Sequence, residues 1–468
     1  MLSEKRLPNV VFILVDDLGW GEPGCYGNSF NETPNIDNLA KEGMLFYTAY
    51  ASAPVCSPSR AGILTGQTPV RNGITDYLRP DTEWYLPMNP EFTSFADNEL
   101  PEDTDFHFDP NMVTLSQMFK TKGYRTGIVG KWHLSGYDEK GTKYGPEKYG
   151  FDEVIMSERV FIGDGSYFHP YTCVDPSIEP VLGENEYLVD RMNYEAVEFI
   201  KRNKKEPFFL YLSHYAVHTT LAGKPEYVEY FLKKRGNRED LAEKTEWTKR
   251  DNPVLAAMLK SIDDGVGMIK NTLEELGLSK DTIIVFTSDN GGEARVTVNG
   301  HLRGGKSMTY EGGLRVSLVM SWPGVIPGNS VCKAPTINLD FYPTFAEIIG
   351  YKIPENHIVD GISIYPVLTG QNNGGNMQGR KFFWHYPLKK NHFLGGRSSA
   401  ALRNGNWKLI EYLDNSSAEL YNLENDESEL NNLAEKHKDQ LKKHHKELMN
   451  WVDEVDGEIP EGQGLADV

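Results

Sequence analysis

The sequence predicts an α/β protein: a mixed, mainly parallel sheet between helices, with a small C-terminal α+β subdomain of antiparallel sheet and one helix. Three observations predict it. Short apolar runs alternate with stretches of helical period along most of the chain. Those runs are followed at once by polar residues able to do chemistry, as happens where parallel strands end at a ligand crevice. Late in the chain the pattern changes to alternating strands, a tight-turn signal and a closing helix. With 468 residues, 39% hydrophobic and 25% charged, the chain can bury one large core and a smaller one.

Taken in order, "VVFILV" (Val10–Val15) reads as a buried strand, too short for a membrane span or for the apolar core of an export signal. "SPSRAGILTG" reads as a helix beginning near Pro58, because proline suits a first helical turn. "VTLSQMFKTKG" (Val113–Gly123) has helical period, and "RTGIVG" (Arg125–Gly130) is the next strand. A helix over Tyr187–Asn203 precedes "FFLYLS" (Phe208–Ser213), and another over Val254–Gly277 precedes "TIIVFTS" (Thr282–Ser288). Gly277 is a helix stop. "VLTGQNNGGNMQGR" (Val367–Arg380) reads as a linker. Beyond it, "KFFWHY", "SSAALRNGNWKLIEYL" with its "RNGN" hairpin turn, and "AELYNL" form a small antiparallel sheet covered by a helix from Asn432 to Val455. The division is therefore residues 1–372 for the α/β domain and 373–468 for the subdomain. His437, His444 and His445, set among lysines on the last helix, read as a solvated face.

Net charge is -19, which disfavours nucleic acid as a partner. Cys25, Cys56, Cys173 and Cys332 show no CxxC spacing, so a thiolate zinc site is disfavoured; two disulfides are possible without forming a dense framework.

The polar groups behind the strands then carry the function. Asp16 and Asp17 follow the first strand, and Asp289 and Asn290 follow "TIIVFTS". Three carboxylates and an amide oxygen suit Ca²⁺ or Mg²⁺; the alternative is that "DD" and "DNGG" merely cap strands. Carboxylates converging without a cation would repel, so convergence would favour a metal. Arg60, Lys131 and Lys306 can neutralise an anionic substrate, with His133 and His218 available for proton transfer. Cys56 would sit just ahead of a helix N-terminus, where a thiolate is acidified.

"CSPSRAGILTG" closely resembles the signature of the type I sulfatases, whose Cys-x-Pro-x-Arg core directs oxidation of the cysteine to Cα-formylglycine; Cys56, Pro58 and Arg60 fill its three places. "PNVVFILVDDLGWGEPGCYGN", "GIVGKWHL", "YAVHTT", "FTSDNGG" and "LRGGKSMTYEGG" follow in that family's order. The resemblance implies the alkaline phosphatase superfamily fold and a sulfuric ester hydrolase. It implies Asp16, Asp17, Cys56, Asp289 and Asn290 around a metal, Ca²⁺ rather than Mg²⁺. It also implies a hydrated aldehyde at residue 56 as nucleophile, with Asp289 taking its proton. His218 and Lys306 would assist the leaving oxygen, His133 would release sulfate from the second hydroxyl, and Arg60 and Lys131 would hold the diol and sulfate. A formylglycine-generating or anaerobic maturation enzyme would be the protein partner. A periplasmic or secreted setting is expected, with no export signal in the sequence given, and the cytoplasm is left open. The substrate expectation is a sulfated saccharide, with His385 in "FWHYP", Arg303 and Arg397 as contacts and "DYLRPDTEWYLPMNPEF" (Asp76–Phe92) as an aromatic wall. Two alternatives stand beside this reading. One is a phosphonate monoester hydrolase or phosphodiesterase of the same superfamily; the other is a non-catalytic, calcium-stabilised sugar-binding protein.

Overall fold

The structure is a computed structural model that describes residues 7–78, 112–135, 144–158, 167–172, 174–236, 251–371 and 379–464, with Met377 and the strand pairs at 137–138 and 141–142. In chain order the α/β part holds β1 (Asn9–Val15), α1 (Pro34–Glu42), β2 (Met44–Tyr50), α2 (Cys56–Thr65), α3 (Pro69–Asn72), α4 (Leu115–Thr121) and β3 (Arg125–Gly130). The small ribbon β4 (Tyr137–Asp138) and β5 (Gly141–Thr142) follows, then β6 (Glu153–Ile155), α5 (Leu188–Asn203), β7 (Phe208–Ser213), α6 (Pro225–Arg235), α7 (Pro253–Glu275) and β8 (Thr282–Ser288). It closes with α8 (Glu311–Leu314), β9 (Arg315–Ser321), β10 (Ser330–Cys332), β11 (Thr336–Ile337), α9 (Phe341–Ile349) and α10 (Tyr365–Leu368).

The main sheet has the order β10-β2-β9-β8-β1-β7-β3-β6, with β11 also on β2. Its strands pair in parallel except β9, which is antiparallel to both neighbours. Period-two alternation gives it two buried faces. Val10, Phe12 and Leu14 pack with residues of α2, α4 and α9, whereas Val11, Ile13 and Val15 pack with α1, α5 and α7. A run like "VVFILV" has no polar alternate because both faces are covered.

The C-terminal sheet is β12 (Lys381–Tyr386), β13 (Ser399–Asn404), β14 (Trp407–Tyr412) and β15 (Ser417–Asn422) in a simple antiparallel meander, followed by α11 (Lys438–Glu454). Gly405, at φ 60°, makes the hairpin turn expected from "RNGN". One sheet face, including Trp384, Ala401 and Ile410, packs on Tyr50, Leu314 and Ile337 of the α/β part. The other face packs on Leu441, Leu448 and Trp451 of α11.

Three expectations need correction. α11 begins at Lys438 rather than at Asn432, with His437 as its N-cap residue. Two of its histidines are not a solvated face: His444 is buried and His445 Nδ1 lies 2.8 Å from Glu411, whereas His437, with its ring beside Trp407, is exposed. The helix covers a sheet, so its inward face must close over it. Cys25, Cys56 and Cys332 are unpaired thiols, so no disulfide joins these three. No helix among the described residues is long and apolar enough to cross a membrane.

Candidate active site

Register explains why distant segments meet. Val15 pairs with Ser288, Leu14 with Ser213, and Gly130 with Ser213, so β1, β8, β7 and β3 end level at one sheet edge. The residues that follow each strand are thrown into one crevice. Asp17 turns sharply at φ 58°, and its N–H donates to Asp289 Oδ1 at 3.1 Å. Asn290 Nδ2 donates to Asp17 Oδ1 at 2.8 Å. The next residue must be glycine, because a Cβ at Gly291 would collide with the Gly312 carbonyl.

Opposite the strand ends stands α2. Val55 is its N-cap residue and Cys56 its first residue, so the cysteine lies inside the first turn rather than ahead of it. One ligand atom each of Asp16, Cys56 and Asp289 fall within 4.8 Å of one another, all buried. Arg60, one turn on, donates from Nε to Asp289 Oδ2 at 2.9 Å and from Nη1 to Ser213 Oγ at 2.6 Å. Lys131 Nζ lies 2.5 Å from Asp16 Oδ2, and Lys306 Nζ lies 2.7 Å from Asp17 Oδ2. His218 Nε2 is 3.7 Å from the same Asp17 oxygen.

Three buried cations thus sit among three buried carboxylates, so the repulsion expected from converging acids is already cancelled without a metal. The argument for an ion rests elsewhere. Asn290 Oδ1 and Asp16 Oδ1 are buried acceptors that receive no hydrogen bond from the described residues. Groups of that kind are rare and costly unless something else satisfies them. Hard oxygens left open beside a third carboxylate fit a divalent cation.

Burial drives the carboxyl of Asp16 up, but Lys131 and Arg60 outweigh it and hold the group below its ordinary value. Asp289 goes the other way, raised by burial and by the charge of Asp16. Burial also pushes the Cys56 thiol up, despite Lys131 and Lys306. The acidified thiolate expected from the helix end is therefore absent; desolvation wins over the dipole.

The two histidines differ in which nitrogen is engaged. His133 adopts φ 55°, and its Nε2–H donates to the Leu78 carbonyl at 2.9 Å. A carbonyl only accepts, so Nδ1 carries the lone pair, and it is buried without a partner among the described residues. Burial, with Lys131 and Arg60, holds this imidazole well below its ordinary pKa. In His218, Nδ1–H donates to the Thr219 carbonyl at 2.5 Å, leaving Nε2 toward the crevice. Burial and Lys306 hold it low as well.

The residues expected to touch substrate are each engaged by other groups of the protein. His385 donates from Nε2 to the Glu458 carbonyl at 2.7 Å. Strand alternation turns it toward the C-terminal segment, whereas Trp384 and Tyr386 face the α/β part. Tyr386, not His385, packs with Val55 beside the cysteine. Arg303 is spent on Tyr421, the Glu429 carbonyl and the Tyr310 ring. Arg397 is paired with Asp414 and lies over the Tyr412 ring. Of the aromatic wall, only Asp76, Tyr77 and Leu78 are among the described residues. Sequence reasoning missed Ser213 and Glu158. Ser213 was visible as the last residue of its strand, whereas nothing local marks Glu158.

Comparison with known proteins places this site. Residues 8–351 match the Sulfatase family, and residues 301–455 match the C-terminal region of N-sulphoglucosamine sulphohydrolase. Human steryl-sulfatase is 30% identical over 459 residues, covering 81% of this chain and 72% of that protein. Rat N-acetylgalactosamine-6-sulfatase is 32% identical over 388 residues, covering 77% and 66%. The crystal structure of Ps i-CgsB superposes with a TM-score of 0.76 at 29% identity, covering 95% of this chain and 93% of that one. Phosphonate monoester hydrolase of Agrobacterium radiobacter shares the fold at a TM-score of 0.64 and 20% identity, covering 96% of each chain. The fold is thus one that hydrolases of anionic esters share. The chain belongs to the sulfatase family and is a sulfuric ester hydrolase.

Proposed function

We propose that the enzyme removes sulfate from a sulfated saccharide, using a formylglycine made from Cys56 and a Ca²⁺ ion held by Asp16, Asp17, Asp289, Asn290 and residue 56. The open oxygens Asn290 Oδ1 and Asp16 Oδ1, beside a Cys56 that lies with Asp16 and Asp289 within 4.8 Å, are the observation that carries this reading. Bound there, the ion would neutralise sulfate oxygens and acidify an adjacent hydroxyl. The oxidised, hydrated side chain supplies two hydroxyls, one to attack sulfur and one whose deprotonation re-forms the aldehyde and frees sulfate.

The remaining roles belong to this chain's other residues. Asp289 accepts the attacking hydroxyl's proton, which suits a carboxyl raised by burial and Asp16. Arg60 and Lys131 orient the nucleophile and the sulfate; fixed charges of this kind contribute about 3–4 kcal/mol each at a transition state. His218 delivers a proton from Nε2 to the leaving oxygen, with Lys306 beside it. An anionic ester in the crevice offsets the field of Lys306 and favours the protonated imidazole. His133 takes the second hydroxyl's proton on Nδ1, the nitrogen that no protein group occupies.

The saccharide class draws support from relatives: one is named N-acetylgalactosamine-6-sulfatase, and Ps i-CgsB was solved with k-i-k-neocarrahexaose. A maturation enzyme that oxidises Cys56 is part of the same reading, as is the division into residues 1–372 and 373–468. The test is a sulfate-release screen over defined sulfated glycans, a steryl sulfate, p-nitrophenyl sulfate and a phosphodiester, with conversion of Cys56 quantified by mass. Conversion lowers the mass by about 18 Da, as oxygen replaces sulfur with loss of two hydrogens. Fastest release from a glycan by converted protein is expected. Full activity with unconverted Cys56, or a faster phosphodiester reaction, overturns the proposal.

A further inference from the structure

We propose that Glu158 is a positioning residue that holds His133 in the backbone conformation and tautomer its proton transfer requires. The inference rests on the reading of His133 as the base that releases sulfate. Glu158 is 1% exposed, and the four hydrogen bonds it accepts from the described residues all come from neutral groups. Oε1 accepts the His133 N–H at 2.5 Å and the Trp132 N–H at 3.2 Å. Oε2 accepts the Trp132 N–H at 2.9 Å and the Tyr215 hydroxyl at 2.9 Å. Two successive backbone amides converging on one anion form the kind of concavity that elsewhere binds phosphate; here a side chain of the same protein fills it.

The position matters because the turn it grips is an unfavourable one. His133 lies at φ 55°, in the left-handed region that residues with a side chain avoid. Gly130, at φ 102°, begins the same turn. The Ser157 hydroxyl donates to the Gly130 carbonyl at 2.6 Å, so Ser157 and Glu158 together clasp both ends of the Gly130–His133 segment. Arg60 reaches the middle, with Nη1 3.2 Å from the Lys131 carbonyl. Within this clasp His133 can place Nε2–H on the Leu78 carbonyl and leave Nδ1 bare. A buried carboxylate with no cation among these partners is costly to keep, which is reasonable where its charge fixes two amides that no other described residue accepts.

The test is a double-mutant cycle on the holoenzyme, with kcat and KM measured on p-nitrophenyl sulfate for Glu158→Gln, His133→Ala and the pair. Glu158→Gln is expected to lower kcat about 10- to 100-fold, since small misplacement of a catalytic group costs that much. KM should change less than about threefold, with Cys56 conversion unchanged. The pair should be no slower than His133→Ala alone, because Glu158 acts only through that residue. Wild-type kcat in Glu158→Gln, or losses that multiply in the pair, overturns the inference. Should His133→Ala itself turn over at the wild-type rate, the base assignment fails instead. If Glu158→Gln does not fold, Ser157→Ala serves: a smaller kcat loss that vanishes in the His133→Ala background supports the clasp, and an unchanged kcat refutes it.

Discussion

Two clusters of buried charge invite comparison. One is the crevice, with Asp16, Asp17 and Asp289 among Arg60, Lys131 and Lys306. The other joins the α/β part to the C-terminal sheet, with Glu311 and Glu429 among Arg315 and Lys408. In the second cluster every carboxylate oxygen lies within 3.0 Å of a donor, although Glu429 Oε1 meets Lys408 as an ion pair without hydrogen-bond geometry. Glu311 Oε1 and Glu429 Oε1 each lie 2.9 Å from Lys408 Nζ. Glu311 Oε2 accepts from Tyr50 at 2.8 Å and Arg315 at 3.0 Å, and Glu429 Oε2 accepts the Glu311 N–H at 2.6 Å. In the crevice, among the described residues, Asn290 Oδ1 has no donor and Asp16 Oδ1 has only Arg60, 3.5 Å away. Buried charge therefore marks a strut as readily as a site. What separates them is whether the acceptors are satisfied by the protein itself.

The sharpest way to break the comparison is to damage each cluster once. Cys56→Ala should abolish sulfate release, by about 10³-fold or more, and leave the unfolding transition within about 1 kcal/mol of wild type. Lys408→Met should do the reverse. It strands two buried carboxylates and should cost about 3–5 kcal/mol in denaturant unfolding, while the folded fraction keeps its specific activity. A collapsed Cys56→Ala protein, or a Lys408→Met protein as stable as wild type, would erase the distinction.

A smaller effect tests the open acceptors. Adding Ca²⁺ at about 100 times its dissociation constant should stabilise the enzyme by about 2.7 kcal/mol, and a chelator should remove that gain. Asn290→Ala should abolish most of the metal-dependent rise in Tm, read as the difference with and without Ca²⁺, because losing the Nδ2 bonds to Asp17 Oδ1 and the Gly291 carbonyl also lowers the metal-free Tm. An undiminished metal-dependent rise in Asn290→Ala would mean that Oδ1 is not a ligand.

The same contrast explains what could be read in advance. The crevice was legible because strand ends announce themselves: an apolar run followed by Asp16–Asp17, by Lys131–His133 or by Asp289–Asn290 is a local pattern, and parallel pairing does the rest. The second cluster was not. Glu311, Lys408 and Glu429 come from a short helix, a strand and a loop with no common signature, and only tertiary packing brings them together. His385 shows the other limit. Its strand was identified, but substrate contact depended on which face the residue took, and a period-two strand turns neighbours to opposite sides. Cys56 was placed correctly near a helix start, yet its thiol shifts up because burial, which sequence does not report, outweighs the helix end.

The least effect concerns pH, where the two clusters should tilt stability differently. His214, which follows β7 at the crevice edge, is buried and held near pKa 3 by desolvation. Unfolded, it titrates near 6.5, so below that pH the unfolded chain takes up a proton that the folded one refuses. Its contribution is therefore full above about pH 6.5 and is lost toward pH 3, at about 1.4 kcal/mol per unit. His133, also held low, adds to the same slope. In the second cluster the shifts oppose one another: Glu311 is pulled down to about 2, its burial outweighed by Lys408 and Arg315, while burial raises Glu429 to about 7. Stability from Glu311 is present above about 4.5 and lost as pH falls through 2. That from Glu429 is present below about 4.5 and lost as pH rises through 7. Above pH 7 the two contributions therefore oppose one another. Urea unfolding at pH 6.5 and 5.5 should thus show wild type losing about 1 kcal/mol more than His214→Gln. Equal losses in the two proteins would mean that His214 is solvated, and that the acid sensitivity arises outside the crevice.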